Sequence, residues 1–388
     1  MAGGEVAAGA PTAAAAGYWQ RRGLHTEPGR VLLAPGGPVL LLALLAAAGP
    51  GAVVLSRPCA EWYEPQARLL GRPVHHVPVP AECGGVPDPF ALLETVRRAR
   101  AAGADPRVLV LSVADDPTGT CAPPELLHEV CEAAASQGML IISDESGRDT
   151  SFDPHETVIV SPAEMLEVPG GLPVAGTAVV LVDLRQALLP DGPPAAAARF
   201  PHTRRGAELA RAVERVLLDL GVGLAEEARG PVAVALEEPE ALRTEHRARV
   251  RARGAYGATL HRALVEAGAV CRPPRLGGAL YADLSRFGPE LRCRGVTGSA
   301  SLEAELTLAL GGTWVRGGHR FGEPPQDLRA RFDTHLLAPA QPFPDRAVAR
   351  DPEAAAGRAA REPRASRRLR RLLTALTGTP QGMRDSDD

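Results

Sequence analysis

RVLVLSVADDPTGTCAPPELLHEVCEAAASQGMLIISDE, residues 107–145, begins and ends in short apolar runs, RVLVLSV (107–113) and MLIIS (139–143). Continuous apolar runs of this length fit strands covered on both faces better than strands half exposed to water. Between them, ELLHEVCEAAA (125–135) places apolar residues at helical spacing, with Pro123 and Pro124 at its start and Gly138 at its end. Strand, crossover helix and second strand make a βαβ unit, so the two strands are expected to run parallel.

Working outward, the same alternation extends from about residue 30 to 185. The further strand-like runs are VLLA (31–34), AVVLS (52–56), PVHHVPV (73–79), TVIVS (157–161) and AVVLVD (178–183). The expected architecture is a three-layer α/β large domain with a mostly parallel sheet. Asp116 and Asp144 then fall at strand ends, and ligands of open α/β sheets bind beyond the carboxyl ends of the strands.

The apolar stretch Pro38 to Leu55 approaches the length of a membrane span, but Gly49-Pro50-Gly51 divides it into a short helix and a strand. No membrane association is expected. Residues 1–25 read as a mobile Ala/Gly-rich arm without the basic and apolar regions of a signal peptide. Residues 26–204 form the large domain, of which 186–204 read as a Pro/Ala-rich covering loop. Residues 205–335 hold a long charged helix, roughly Glu237 to Ala267, and a smaller C-terminal α+β domain. Residues 336–388 read as a disordered Pro/Ala/Arg-rich tail, apart from a basic amphipathic helix at 366–378.

The formal net charge of the 388 residues is −3, and all 43 basic residues are arginine; the sequence contains no lysine. No whole-protein positive field is present to attract nucleic acid, so none is expected as a partner. The six cysteines are scattered without a Cys-x-x-Cys pair or histidines at ligand spacing, which reads as free thiols in a cytoplasmic protein with no metal site.

The order of these segments resembles that of the class I/II aminotransferases, the pyridoxal-phosphate-dependent enzymes of fold type I. RRGLHTEPGRVLLAPGGPVLLLALL (21–45) is similar to the family's phosphate turn and following helix, with Gly36 and Gly37 at the turn. SRPCAEWYEPQARLLG (56–71) resembles the segment bearing the ring-stacking aromatic, and SVADDPTGT (112–120) the Asn-Pro-Thr-Gly-Thr turn. IISDESGRD (141–149) resembles the Asp-Glu-x-Tyr strand end, SPAEMLEVPGG (161–171) the Ser-x-Ser-Lys-x-x-x-x-Pro-Gly segment, and LRARFD (328–333) the strand with the carboxylate-binding arginine.

Residue by residue, the resemblance implies a depleted site. Asp144 keeps the position that bonds the cofactor's pyridine nitrogen, while Asp116 and Gly147 stand for the asparagine and tyrosine that bond its ring hydroxyl. The stacking aromatic falls near Ala60, with Trp62 and Tyr63 close by. Glu164 stands at the Schiff-base lysine, where it is a candidate general base. Ser161 persists in the phosphate segment, its second serine is Ala163, and the phosphate arginine falls near Leu172 or Pro173. Arg329 matches the arginine that grips a substrate carboxylate, so a small amino or keto acid is an expected ligand. Only about 35 residues precede Gly36, so part of the family's cover over the site is expected to be absent.

Exchanging an ammonium for a carboxylate and deleting a guanidinium beside a phosphate removes attractions of about 4 kcal/mol each at ~4 Å and an effective dielectric of ~20. Conventional transamination is therefore not expected, and no covalent cofactor. The expected function is that of a degenerate homologue: a pseudo-enzyme, a partner subunit or a ligand-binding protein, paired as a homodimer or with a related aminotransferase. The alternative is a repurposed enzyme of amino-acid or specialised metabolism that binds a small carboxylate or amine, with pyridoxal or pyridoxamine phosphate held noncovalently.

Overall fold

The computed structural model describes residues 10–80, 84–155, 157–167, 178–337 and 363–378. The chain divides into two compact units. The first comprises residues up to 114, 121–150 and 155–246, and the second comprises 115–120, 151–154 and 247 onward.

In chain order the first unit contains α1 (Ala10–Gln20), β1 (Val31–Ala34), α2 (Gly37–Ala47), β2 (Ala52–Arg57), α3 (Tyr63–Leu69), β3 (Val74–Pro78) and α4 (Pro89–Ala101). It continues with β4 (Pro106–Ser112), α5 (Pro124–Ser136), β5 (Leu140–Asp144), α6 (Pro162–Leu166), β6 (Ala178–Asp183), β7 (Ala196–Arg199), α7 (Arg204–Asp219) and α8 (Glu226–Glu237). Seven strands form one sheet in the order β1-β7-β6-β5-β4-β2-β3. The run from β3 through β6 is parallel, while β7 is antiparallel to both β1 and β6.

Alternate residues of each strand supply the two faces. Val179 and Leu181 of β6 enter one cluster with Leu40, Leu41 and Leu44 of α2, Tyr63 of α3 and Val213 of α7. Val180 and Val182 enter another with Tyr18 and Trp19 of α1, Ala163 of α6 and Leu236 of α8. The helix and strand read on either side of Gly49-Pro50-Gly51 are α2 and β2, and among the described residues no helix is long and apolar enough to cross a membrane.

Four expectations are corrected here. Residues 157–160 form no strand, because the place beside β5 is taken by β6. Residues 196–199, read as part of a covering loop, are an inner strand. Its Ala196-Ala197-Ala198 run is fully buried, and alanine's weak strand preference concealed it. Residues 10–20, read as a mobile arm, are a helix whose Tyr18 and Trp19 are each 1% exposed. The boundary expected at 204/205 lies inside the first unit, because α7 packs its apolar stripe on α2.

The helix α9 (Glu240–Ala267) begins in the first unit and enters the second at Arg247, where it is followed by β8 (Val270–Cys271), β9 (Ala279–Asp283), α10 (Gly288–Cys293), α11 (Ser299–Leu310), β10 (Val315–Gly317), β11 (Arg329–Asp333) and α12 (Pro363–Thr377). The strands form an antiparallel sheet in the order β8-β9-β11-β10. Leu260, Leu280, Leu302, Leu306 and Phe332 form its core, on which α12 lays Leu372 and Leu376. The described cysteines, Cys59, Cys121, Cys131, Cys271 and Cys293, are free thiols; Cys83 lies outside the described residues.

Candidate functional site

At the carboxyl edge of the large sheet, β5 ends on Asp144 and β6 on Asp183. The strand period of two sends Asp144 to one face and its neighbour Glu145 to the other. These two acids organise separate clusters in the first unit.

On the first face, the Tyr63 hydroxyl donates to Asp144 Oδ2 at 2.6 Å. Ser146 N donates to Asp144 Oδ1 at 2.9 Å, and the Ser146 hydroxyl donates to the same oxygen. Burial pushes the Asp144 carboxyl up to about 6; the Ser146 and Tyr63 donors work against that rise and the Asp183 charge adds to it. Ser146 Oγ also accepts the backbone N–H of Asp183 at 2.7 Å, which joins the two strand ends.

The Asp183 carboxylate reaches the glycine turn. Its Oδ2 accepts from Gly37 N at 2.8 Å, and its Oδ1 from Arg185 N at 2.9 Å. Gly36, the N-cap of α2, has φ +117°, a conformation open to glycine and strained for other residues. A Cβ on Gly37 would stand 2.9 Å from Asp183 Oδ2 and 3.3 Å from Trp62 Cη2, so the turn is closed by these two side chains. The Trp62 and Tyr63 rings pack edge to face with centroids 4.7 Å apart.

On the second face, Glu145 Oε1 accepts from the Ser161 hydroxyl, and its Oε2 pairs with Arg148 at 2.9 Å. Arg148 Nη2 pairs in turn with Glu164 Oε1 at 2.9 Å. Burial opposes the Arg148 cation, but the Glu145 and Glu164 carboxylates outweigh it and hold its pKa above the usual arginine value. Ser161 and Glu164 form a capping box at the start of α6. At the other end of α6, Glu167 receives both Nη groups of the buried Arg199, at 2.7 and 2.6 Å.

The structure therefore gathers Gly36, Gly37 and Asp144 around Asp183 and places Ser161 and Glu164 elsewhere. Glu164, expected where the Schiff-base lysine would stand, caps a short helix and pairs with Arg148, while Asp144 bonds Tyr63 and Ser146. The reason is the strand order: the motif was read as following a strand at 157–161, and the strand beside β5 is β6. The strand end beside Asp144 is therefore Asp183, the last residue of β6. Leu172 and Pro173 lie outside the described residues. Asp183, Ser146 and Arg148 were not singled out from the sequence, although reading AVVLVD as the neighbour of MLIIS would have pointed to Asp183.

Asp116 and Arg329 belong to the second unit. Asp116 Oδ1 accepts from Arg331 Nε at 2.7 Å. Arg329 pairs with Glu323 at 2.8 Å and with Asp283 at 3.3 Å, so the chain's own carboxylates already engage its fork. A cavity of about 630 Å³ in the first unit is lined by Ala48, Gly51, Asp105, Arg107 and Leu140, at the amino ends of β2, β4 and β5 and away from the edge that carries Asp144 and Asp183.

Residues 9–172 match the model of the family described as aminotransferase class I and II. No curated protein matches the chain in sequence. Among solved structures, N-succinyldiaminopimelate aminotransferase from Mycobacterium tuberculosis aligns with a TM-score of 0.71 and 21% identity, over 96% of this chain and 84% of that one. Aspartate aminotransferase from Thermus thermophilus with maleate aligns with a TM-score of 0.68 and 18% identity, over 90% and 81%. A PLP-bound putative aminotransferase from Clostridium difficile 630 aligns with a TM-score of 0.70 and 11% identity, over 95% and 83%. The family model thus matches the chain from α1 through α6, and the chain shares the fold of these aminotransferase structures along most of its length.

Proposed function

We propose that this protein is a non-transaminating member of the class I and II aminotransferases, a pseudo-enzyme that acts through binding. The observation that carries the reading is the absence of lysine from all 388 residues, which leaves no side-chain amine to form the aldimine on which the family's chemistry depends. The residues present do not fit pyridoxal phosphate as a resident cofactor. Asp144, the match to the pyridine anchor, already has donors on both oxygens, from Tyr63 and Ser146. The Gly37 amide at the match to the phosphate turn is taken by Asp183.

The family's sites lie at subunit interfaces, which supports a role as one half of a pair, with a second copy or with a lysine-bearing relative. Arg329, in this reading, receives an amino or keto acid in competition with Glu323 and Asp283, which already engage its Nη1 and Nε.

The test is titration of the purified protein with pyridoxal phosphate and pyridoxamine phosphate, followed by calorimetry and absorbance. We expect no stoichiometric uptake, no aldimine band and no amino-group transfer between amino and keto acids. Saturable one-to-one binding of either cofactor, or transfer above background, overturns the proposal.

A further inference from the structure

We propose that Asp183 is a built-in anion that occupies the N-terminus of α2 in place of a ligand's phosphate, and so determines that this edge of the sheet refuses phosphorylated ligands. The inference rests on the reading of the protein as non-transaminating and gives it a specific residue.

The first amides of a helix have no partner within the helix and carry partial positive charge. A helix N-terminus that opens on glycines therefore receives anions, phosphate among them. Here the anion belongs to the chain itself. Gly37 N donates to Asp183 Oδ2 at 2.8 Å, across 146 positions of sequence.

The carboxylate is fixed rather than resting by chance. Its other oxygen accepts from Arg185 N at 2.9 Å, and the Asp183 backbone N–H is held by Ser146 Oγ at 2.7 Å. The Trp62 ring also stands at the turn, its Cη2 lying 3.3 Å from where a Cβ on Gly37 would be. A phosphate seeking the Gly37 amide must displace this oxygen and accept its charge as a neighbour. Repulsion between anions at such range weakens binding by on the order of tenfold to a thousandfold.

The experiment compares wild type, Asp183→Asn and Asp183→Ser by calorimetric titration with inorganic phosphate, following the Gly37 amide by NMR. Asp183→Asn keeps an acceptor for Gly37 and removes only the charge, so it guards against a loss of fold, and circular dichroism of each variant checks this. We expect no saturable phosphate binding by wild type. Asp183→Ser should bind roughly tenfold tighter or better than wild type, with a Gly37 amide shift that saturates along the same curve. Folded variants that gain nothing overturn the inference, as does a wild type that binds phosphate as well as they do, or a gain that leaves the Gly37 amide unmoved. Stoichiometric pyridoxal phosphate on wild type would instead overturn the proposed function. A wild type inert to cofactor with equally inert variants removes the role of Asp183 alone.

Discussion

Asp144 is 4% exposed and holds its proton more tightly than an aspartate in water, because burial penalises its charge. A carboxyl whose pKa rises on folding destabilises the folded state once it ionises. Between about pH 4 and about 6 the native chain keeps a proton that the unfolded chain releases, so stability falls as pH rises through that window and is level above it. Asp144→Asn should flatten this slope, a difference on the order of 2 to 3 kcal/mol in urea unfolding followed across that range. A variant as steep as wild type would remove Asp144 as its source. Tyr63→Phe should cost about 1 to 3 kcal/mol and steepen the slope, because it strips a donor from a buried carboxylate; thermal unfolding at pH 5 and 7 measures both effects. The turn at Gly36 and Gly37 and the strand-end place of Asp144 were legible in sequence because a glycine turn and a strand-end acid have local signatures. Asp183 was not, because its partner lies 146 positions away and only strand order brings the two together.

Among the elements, α1 shows how an Ala-rich segment becomes ordered. Arg22, at its end, pairs with Asp149 at 2.8 Å and with Glu238 at 2.7 Å, and lies over the Tyr18 ring at 3.6 Å. Burial pushes Asp149 up, but Arg22 and the Tyr18 hydroxyl more than offset this and hold its carboxyl below its ordinary value. Breaking such a pair leaves two half-buried acids without their cation. Arg22→Ala should lower stability by about 3 kcal/mol and expose the following segment to trypsin, as limited proteolysis would report; an unchanged digestion pattern would count against the clasp. The short helix α6 gives a second test. Glu164→Lys would face the Arg148 guanidinium across a distance now spanned by an ion pair of 2.9 Å. The variant should lose several degrees of melting temperature and give no aldimine band with pyridoxal phosphate; appearance of that band would return residue 164 to the site. Strands of Val, Ile and Leu were legible from end to end. The alanine strand β7 and the unpaired run at 157–160 were not, since small side chains hide the one and partner choice decides the other.

At the scale of the molecule, the large sheet and the second unit each keep an apolar core of their own. Leu376, from the basic stretch beyond residue 363, is fully buried in the core of the second unit. Leu376→Ala should cost about 2 to 5 kcal/mol in unfolding, whereas replacement of the exposed Leu308 should leave stability within about 0.5 kcal/mol. Equal effects would argue against docking of α12. The contact of Gly37, Asp183 and Trp62 has a consequence for redesign. On the proposed reading, a lysine introduced at the sheet edge should confer nothing while a carboxylate fills the phosphate's place, and removal of that carboxylate alone should yield a binder without a nucleophile, so the two changes are expected to matter only together.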